Sequence, residues 1–559
     1  MSSAHPSQLP NRRQVLGAFG LSIAGLSLAS CTSQPTPQAS TDLSGGAAPI
    51  KTFRIAAPAN ALSLDPVLAQ DGESFRVSRQ ILECLVGIDP VTSQPTPLLA
   101  ESWTESVLGL SYTFTLRQGV IFHDGEPFNA EAVKANFDRW FSLSPALRSR
   151  GAGTAFESLF GSFKGDSAYS AFASCDVLDE FRVRISLTRR LTPFIKAMAS
   201  QPFAMSSPAA LIRFRADAAI SDETEPLRTA YSTQPVGTGP FRFVSWKDET
   251  IRLGKFTQYW GESGNVDAVE IKTLSSPAAR VRQLDSGKVD AIDLITVPTY
   301  ILLLRSGKNI LQRDPFSVFY LGINSEFAPL DKLGVRQAIY HAINKDDVMR
   351  DVFLKDSKSA NTFFPPKLGV PTDDIPGYGF DQNKAKELLD SAGYQGETLP
   401  FYYPLEVNRS YMPSPEILYA RLSAQLVAVG LNIQPVPIRW EDGYLERIGR
   451  DSNRALYLGG FTGSYDDPNT FISPLFAAKN TELGFSDQQL FDLVAKGRTQ
   501  ANGEDRLETY RQISVAIAEE VPAIPIAFPV SALAVSPRVG SYPVSPVLDE
   551  SYSKIQLTE

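Results

Sequence analysis

The hydrophobic periodicity of this chain changes along its length, and that change limits the folds open to it. Apolar and polar residues alternate over residues 112–116 and 183–187, which predicts strands that are buried on one face. After residue 330 the apolar residues recur at helical spacing instead, over residues 335–343, 385–392 and 418–429. Strands and helices that mix without a regular repeat are typical of α/β or α+β architecture.

The ends of these segments carry matching signals. Asp381 precedes the second helical stripe as an expected N-cap, and Gly393 follows it as an expected C-cap.

The most apolar later segment, residues 513–535, contains Glu519, Glu520 and three prolines. It therefore predicts the end of a helix followed by short strands, and not a membrane span.

Composition excludes several classes of protein. With 559 residues, 43% of them hydrophobic, the chain can bury large cores, so disorder over most of its length is ruled out. This length is typical of three or four domains, or of fewer large ones. The net charge of −8 argues against nucleic-acid binding, which needs basic patches facing phosphates. Because the chain has three His and three Cys, we predict no metal site and no cofactor.

The first 31 residues are predicted to be an export signal. Arg12-Arg13 precedes an apolar run, residues 15–29, which is too short to span about 30 Å of hydrocarbon. The run ends in small residues before Cys31, and the whole resembles a twin-arginine signal peptide with a lipoprotein box. Lipidation of Cys31 would anchor the mature chain to the outer face of the cell membrane, or in the periplasm. Residues 32–49 are rich in Ser, Thr, Pro, Gly and Ala and are predicted to be a flexible tether.

Export also bears on the other two cysteines. Cys84 and Cys175 would face an oxidising compartment, in which a disulfide is one expectation. Two unpaired buried thiols are an equal alternative, because the sequence does not place the two residues within bonding distance.

Motifs of the common enzyme classes are missing. The sequence contains no GxxxxGK[ST], HExxH, GxSxG or CxxC motif. His123 lies in a predicted turn and His341 in a predicted helix, and structural roles are favoured for both. We therefore do not expect an enzyme.

Three stretches of the sequence match one family pattern. They are residues 99–140, residues 235–261 with GTGPF at 237–241 and YWG at 259–261, and residues 319–366 with LGIN at 321–324 and VRQAI at 335–339. Together they resemble family 5 of the solute-binding proteins of bacterial ABC importers, which comprises peptide-, dipeptide- and nickel-binding lipoproteins. The resemblance runs from about residue 52 to about residue 550.

This resemblance implies a clamshell in which two α/β lobes close over a ligand, with an extra domain inserted in the N-terminal lobe. On this chain lobe I would comprise residues 50–82, 229–315 and 520–559. The inserted domain would comprise residues 83–228, and lobe II residues 316–519. The resemblance also implies a monomer that binds a small molecule or oligopeptide and delivers it to an ABC permease and ATPase complex.

The resemblance also indicates binding residues. In dipeptide-binding relatives an Arg-x-Tyr segment binds the ligand carboxylate, since a guanidinium offers two parallel donors. Residues 407–413 match that segment and assign this role to Arg409, with Tyr411. Relatives carry an Asp for the ligand ammonium shortly before an acidic-Pro pair, and that position is Ser464 here. A neutral hydroxyl cannot balance a buried ammonium, and Asp466 is the nearest residue that could replace the missing charge.

Trp440, Phe461, Thr462 and Tyr465 complete the predicted ligand-binding residues. The site keeps the arginine for a carboxylate but has Ser464 in place of the aspartate for an ammonium. This difference predicts a cargo with an anionic or carbonyl-rich end at Arg409. Its other end would be neutral, blocked or bound by Asp466.

The first interpretation of the cargo is a peptide or peptide-like solute. A sugar, an opine-like compound or a chelated metal is the alternative within the same class. A secreted glycoside hydrolase that uses Asp466 and Asp467 is an alternative from another class. It is disfavoured because adjacent side chains on a strand point to opposite faces.

Overall fold

The periodic segments of the sequence form the predicted strands and helices. The computed structural model describes residues 50–218 and 228–558. The two alternating segments lie in strands with alternate residues buried, and each helical stripe forms a helix. Asp381 caps the second of these helices by accepting two backbone hydrogen bonds, and Gly393 follows its end with a φ of 67°. The apolar segment 513–535 forms the end of a helix and two strands, as predicted.

Strands and helices are numbered in chain order. In the described residues the strands are β1 Thr52–Ala57, β2 Val86–Ile88, β3 Pro95–Pro97, β4 Ala100–Glu105, β5 Ser111–Leu116, β6 Phe172–Asp179, β7 Arg182–Leu187, β8 Phe241–Lys247, β9 Thr250–Lys255, β10 Ala268–Thr273, β11 Ala291–Ile292, β12 Asn309–Arg313, β13 Ser317–Ile323, β14 Lys358–Ser359, β15 Thr398–Leu405, β16 Asn432–Arg439, β17 Leu456–Thr462, β18 Ala523–Phe528, β19 Ser531–Val535, β20 Val539–Ser541 and β21 Gln556–Leu557. The α-helices of the same residues are α1 Gly72–Ser78, α2 Ala130–Phe141, α3 Pro145–Arg148, α4 Thr154–Phe160, α5 Phe194–Ala197, α6 Pro208–Arg213, α7 Pro277–Asp285, α8 Val297–Arg305, α9 Leu333–Ala342, α10 Lys345–Val352, α11 Gln382–Ser391, α12 Pro415–Ala428, α13 Tyr444–Arg450, α14 Asn469–Phe476, α15 Gln488–Thr499 and α16 Glu504–Glu520.

A seven-stranded sheet, with the order β12-β19-β11-β1-β10-β9-β8 in the described chain, forms the centre of the first lobe. β1 pairs in parallel with β10 and β11, and the other neighbours are antiparallel. Phe53 and Ile55 of β1 pack into one core, while Ala56 faces the opposite core with α7 and α8. Both faces of β1 therefore pack against a core, which explains why four of its six residues are apolar.

A six-stranded sheet, with the order β14-β18-β13-β17-β15-β16 in the described chain, forms the second lobe. Phe319, Leu321 and Ile323 of β13 pack with α9, α11 and α12 on one face. Val318 and Tyr320 lie on the other face, among residues of α13, α14, α15 and α16. This second face carries the candidate site described below.

An antiparallel sheet, β4-β5-β7-β6 in the described residues, lies between α1 and β8 in the chain and has its own large core. The GTGPF and YWG motifs join it to the first lobe at Glu83. The Glu83 carboxylate accepts hydrogen bonds from Thr238 Oγ1, Tyr259 Oη and Trp260 Nε1 at 2.8, 2.8 and 2.9 Å. A Cβ at Gly237 would lie 2.8 Å from the Cα of Leu82, so the first motif needs glycine for close backbone packing.

The chain crosses between the two large sheets twice. Residues 314–316 connect β12 to β13, and residues 529–530 connect β18 back to β19. The predicted lobe I segment 520–559 therefore has to be shortened at its start, because β18 pairs within the six-stranded sheet. The sequence pattern could not locate this boundary, since β18 and β19 are equally apolar and buried.

Both cysteines in the described residues are free and buried. Cys84 packs in a core of the first lobe, where its thiol faces the carbonyl oxygen of Ser200, whereas Cys175 packs in the core of the four-stranded sheet. A disulfide between them, one of the two expectations, is therefore corrected to two separate thiols.

The described residues contain no helix that is both long enough and apolar enough to cross a bilayer. Cys31 and the predicted export signal and tether lie outside the described residues.

His123 contributes a pH dependence to folding stability. Its Nε2 lies 2.8 Å from the carbonyl oxygen of Gly239 and must donate to it, so Nδ1 carries no proton and has no partner among the described residues. Burial lowers the pKa of His123 to about 4. Because an unfolded histidine binds a proton near pH 6.5, His123 stabilises the fold above that pH and loses this contribution as the pH falls toward 4.

We expect His123→Gln, which keeps an N–H donor for Gly239, to reduce the loss of stability between pH 7 and pH 5 by about 2 kcal/mol. Urea unfolding of both chains at the two pH values measures this difference. An identical pH dependence in the variant would contradict the assignment.

Candidate ligand-binding site

The Arg-x-Tyr segment follows β15 and is held in a tight turn. The backbone N–H groups of Arg409 and Met412 each donate to the other residue's carbonyl oxygen, at 3.1 and 3.0 Å. The side chain of Asn408 donates to the carbonyl oxygen of Pro413 at 2.5 Å. This turn places Arg409 and Tyr411 at the face of the six-stranded sheet that also carries Trp440.

Arg409 is buried without a balancing carboxylate. Its side chain is 7% exposed, and its guanidinium carbon lies 4.2 Å from the centre of the Trp440 ring. No described residue forms an ion pair with it, and its Nε has no hydrogen-bond partner among the described residues. Taking a charge out of water without a partner is costly. The position therefore suits a group that receives an anion.

Tyr411 packs over β17, where glycine makes room for it. A Cβ at Gly460 would overlap the Tyr411 ring and would lie 2.7 Å from the carbonyl oxygen of Val318. A Cβ at the neighbouring Gly459 would overlap the ring of Tyr320 in the same way. Two successive glycines in β17 thus allow aromatic rings to lie against the sheet.

These rings border a cavity of about 210 Å³ between the six-stranded sheet and helices α13 and α14. Its lining residues are Tyr320, Tyr411, Met412, Trp440, Tyr444, Leu445, Ile448, Leu458, Gly459, Gly460, Phe461, Pro474, Leu475 and Glu482. Three of the predicted residues, Tyr411, Trp440 and Phe461, are brought together in this wall. Arg409 lies directly behind it, stacked on Trp440.

Thr462 supports the site from within the fold. Its hydroxyl lies 2.7 Å from the hydroxyls of Ser317 and Ser410. It therefore ties the start of β13 and the end of β17 to the residue that follows Arg409. This contact makes Thr462 a positioning residue of the Arg409 turn.

Tyr465 and Asp466 lie elsewhere, where the second lobe contacts residues of the predicted inserted domain, residues 83–228, here called the inserted region. Ser464 is exposed, and Tyr465 packs against the core of the four-stranded sheet. The Asp466 carboxylate accepts a 2.8 Å hydrogen bond from Gln94 Nε2 and lies 3.7 Å from Lys196 Nζ. Asp466 is therefore already engaged, which weakens the expectation that it replaces the missing ammonium partner.

Asp467 does not form a catalytic pair with Asp466. It is buried, and both of its carboxylate oxygens accept hydrogen bonds from Arg506 at 2.8 Å. A carboxylate held in this way by a guanidinium cannot act as the second acid or base of a hydrolase.

Sequence reasoning missed Glu482. This residue follows a segment without helical or strand periodicity, and nothing near it in the sequence indicates a site. Its carboxylate lines the cavity and accepts hydrogen bonds from Tyr320 Oη at 3.1 Å and Tyr457 Oη at 2.6 Å. Burial raises the pKa of Glu482, against the lowering effect of these hydroxyls.

The described residues contain no group of three His, Cys, Asp or Glu side chains that could hold a metal ion.

Two α/β lobes joined by two chain crossings, with a cavity against one sheet, give this chain the fold of two-lobed periplasmic binding proteins. Residues 94–482 match the family described as bacterial extracellular solute-binding proteins, family 5 Middle. The chain therefore belongs to family 5 of the solute-binding proteins that serve ABC importers, and it is not an enzyme.

Similar proteins cover nearly the whole chain. Heme-binding protein A of Haemophilus influenzae is 28% identical over 540 residues, which is 94% of this chain and 96% of that protein. The dipeptide-binding protein of Escherichia coli is 27% identical over 501 residues, which is 87% of this chain and 90% of that protein.

Solved structures show the same fold. The periplasmic binding protein DppA of Helicobacter pylori, in complex with the peptide STSA, superposes with a TM-score of 0.79 at 24% identity, over 91% of this chain and 98% of that one. The dipeptide-binding protein of Pseudoalteromonas, in complex with Met-Leu, superposes with a TM-score of 0.80 at 24% identity. The superposition covers 91% of this chain and 100% of that one.

The close packing at Gly460 gives a direct test of the site's geometry. We expect Gly460→Ala to destabilise the protein by about 1–3 kcal/mol, because the added methyl group has to displace Tyr411 or the backbone of Val318. Gly449→Ala in α13 is the matched control, since an added Cβ meets nothing within 4 Å there and alanine favours a helix. Urea unfolding compares the variants, and a Gly460→Ala chain as stable as the control would refute the packing.

Proposed function

We propose that this protein captures a peptide or peptide-like solute by its carboxylate end and delivers it to an ABC permease. The observation that carries this proposal is the buried Arg409 guanidinium, which lacks a carboxylate partner among the described residues. A ligand carboxylate would supply the missing charge and accept up to two parallel N–H donors. The similarity to the dipeptide-binding protein of Escherichia coli supports the same class of cargo.

Arg409 differs from the other buried arginines of the described residues because its guanidinium donates no hydrogen bond to any of them. Arg280 and Arg454 also lack an ion pair, but both donate to backbone carbonyl oxygens. Arg139 forms an ion pair with Asp65 at 2.6 Å, Arg313 one with Glu550 at 2.6 Å, and Arg506 one with Asp467 at 2.8 Å. These buried guanidiniums are balanced within the protein, as is usual for buried charges. The exception at the cavity wall therefore favours a role in binding.

Closure of the lobes over the cargo is the proposed mechanism. In the structure the inserted region contacts the second lobe through Gln94 and Asp466, and Lys367 Nζ donates to Ser93 Oγ at 2.9 Å. Opening would break these contacts while the chain bends at residues 314–316 and 529–530. A ligand favours the closed state only through the additional contacts that it makes there. Small-angle scattering of the cargo-saturated protein should therefore show a more compact particle than the free protein.

We also propose that the mature protein is a monomeric lipoprotein, anchored through Cys31 on the outer face of the cell membrane or in the periplasm. Signal peptide, lipoprotein box and tether follow each other in the order that export and lipidation require.

Arg409→Ala tests the proposed carboxylate contact. We expect it to weaken binding of a dipeptide library's best ligand by about 1.5–3 kcal/mol, the scale of a hydrogen bond to a charged group. Arg439→Ala is the matched control, because Arg439 is 48% exposed, lies next to Trp440 in the chain and pairs with Glu406. Calorimetry measures both variants.

Unchanged binding in Arg409→Ala would remove this residue from the site. If no dipeptide binds the native chain, a carboxylate-bearing opine-like compound becomes the preferred cargo, since it would present the same anion to Arg409.

Cys31→Ala tests the anchor. We expect the variant to lose its acyl group and to appear in the soluble fraction or to remain unprocessed, because acylation needs the thiol. Cys175→Ala removes a different thiol and should leave acylation unchanged. Mass spectrometry of the N-terminal peptide, combined with membrane fractionation, measures both outcomes. A mature surface protein that retains unmodified residues 1–30 would contradict the proposal.

A further inference from the structure

The cavity wall contains one carboxylate that the proposed carboxylate contact does not use. Among the described residues that line the cavity, Glu482 is the one with a charged side chain. Tyr320 Oη and Tyr457 Oη both donate to the same oxygen, Oε1. The other oxygen, Oε2, receives no hydrogen bond from any described residue. The two tyrosines therefore hold the carboxylate in place and leave its second oxygen free to accept.

Five of the residues that line the cavity are aromatic. Tyr320, Tyr411, Trp440, Tyr444 and Phe461 all border the cavity together with Glu482. The rings of Trp440 and Tyr444 stack with their centres 5.8 Å apart, and those of Tyr320 and Phe461 lie edge to face at 6.3 Å. Aromatic faces attract cations, and the attraction grows when the cation is removed from water.

Two arginines lie near this wall, and neither donates a hydrogen bond to the free oxygen of Glu482, although the charge of Arg454 acts to lower the pKa of this carboxyl group. Arg454 donates to the backbone carbonyl oxygens of Asp451, Thr481 and Glu482, so its donors are directed at the chain and not at the carboxylate. Arg409 stacks on Trp440 and has no ion pair with a described residue. The cavity region thus presents a guanidinium without an ion pair and a carboxylate oxygen without a hydrogen bond from any described residue.

We propose that Glu482 and the aromatic wall bind a cationic amine of the cargo. This inference rests on the proposed function, because the amine belongs to a ligand whose anionic end is bound by Arg409. Glu482 then takes the place of the acidic residue that is missing at position 464. The amine is either the α-ammonium of a peptide or an ammonium group on its side chain, since both present the same chemistry to a carboxylate.

The burial of Glu482 also favours binding of a cation. Burial disfavours the charged form of Glu482 and raises its pKa. An ammonium at Oε2 would stabilise the carboxylate by supplying the opposite charge. The tyrosine hydroxyls at Oε1 orient the carboxylate before the ligand arrives, which reduces the ordering cost of binding.

Three peptides with a free carboxylate test the proposal by calorimetry. Alanyl-norleucine carries an α-ammonium, N-acetyl-alanyl-lysine carries a side-chain ammonium, and N-acetyl-alanyl-norleucine carries neither. Each is titrated into the native protein, Glu482→Gln and Glu446→Gln. Glu446 is the matched control. It lies on α13, the helix that also carries lining residues of the cavity, but its side chain is 64% exposed and pairs with Arg450.

We expect at least one of the two ammonium peptides to bind the native protein at least tenfold more tightly than the peptide without an ammonium group. Glu482→Gln should reduce this ratio to about one while changing the affinity for the peptide without an ammonium group less than threefold, and Glu446→Gln should preserve the ratio. The peptide that shows the preference identifies the source of the ammonium.

The proposal is overturned if the native protein shows no such ratio, if the ratio survives in Glu482→Gln, or if that variant weakens all three peptides alike. Failure of all three peptides to bind the native protein would instead refute the proposed function. In that case titration with tetramethylammonium chloride against sodium chloride decides the matter. A saturable fluorescence change that Trp440→Phe and Glu482→Gln both abolish supports the cation site, and its absence in the native protein overturns it.

Discussion

The ion network around Arg313 is the constraint on which the two-lobed arrangement depends. Arg313 is the last residue of β12, so it lies where the chain leaves the first lobe, and it pairs in register with Ser531, the first residue of β19. Its guanidinium contacts Glu550 at 2.6 Å and Asp293 at 2.8 Å, and Arg76 contacts Asp293 from α1 at 2.5 Å. Although burial acts against ionisation, the two guanidiniums hold the pKa of Asp293 below its usual range. Removing one member would leave an uncompensated buried charge, so the network fixes both crossings to one end of the seven-stranded sheet.

The site follows from this arrangement. With both crossings fixed beside each other, β13 and β18 begin and end at the edge of the second lobe that faces the first, and β17 pairs along β13. The face of the six-stranded sheet that carries α13 and α14 then receives the Arg409 turn from the end of β15. Gly459 leaves room for the ring of Tyr320 and Gly460 leaves room for the ring of Tyr411, and a cavity remains beside these two rings. The cavity is thus a consequence of small residues in a strand whose neighbours are large and aromatic.

Charged side chains that are paired within the fold have structural roles, whereas Arg409 and Glu482 are proposed to bind the cargo. Asp466 and Asp467 were the acidic residues most visible in the sequence, yet one contacts Gln94 and Lys196 of the inserted region and the other pairs with Arg506. Glu482 was not visible at all, because a carboxylate becomes distinctive only when its surroundings are aromatic and its partners hydroxyls. The family pattern indicates Arg409, and the structure adds that it stacks on Trp440 without forming an ion pair with any described residue. The GTGPF and YWG motifs, which also carried the family resemblance, prove to be packing and hydrogen-bonding elements around Glu83.

Local pattern was enough to recognise the strands, the helices, their caps and the family, because periodicity and capping depend on residues that are near each other in the chain. The α/β class, the position of the Arg409 segment and the absence of enzyme motifs followed from the same kind of information. The pairing of β18 with the second lobe, the separation of Cys84 from Cys175 and the partners of Asp466 required the folded chain. Each of these depends on residues that are far apart in sequence, and nothing in a strand's own composition tells which sheet it joins. Gln94 and Asp466 are 372 positions apart, so their contact exists only once the inserted region has packed against the second lobe.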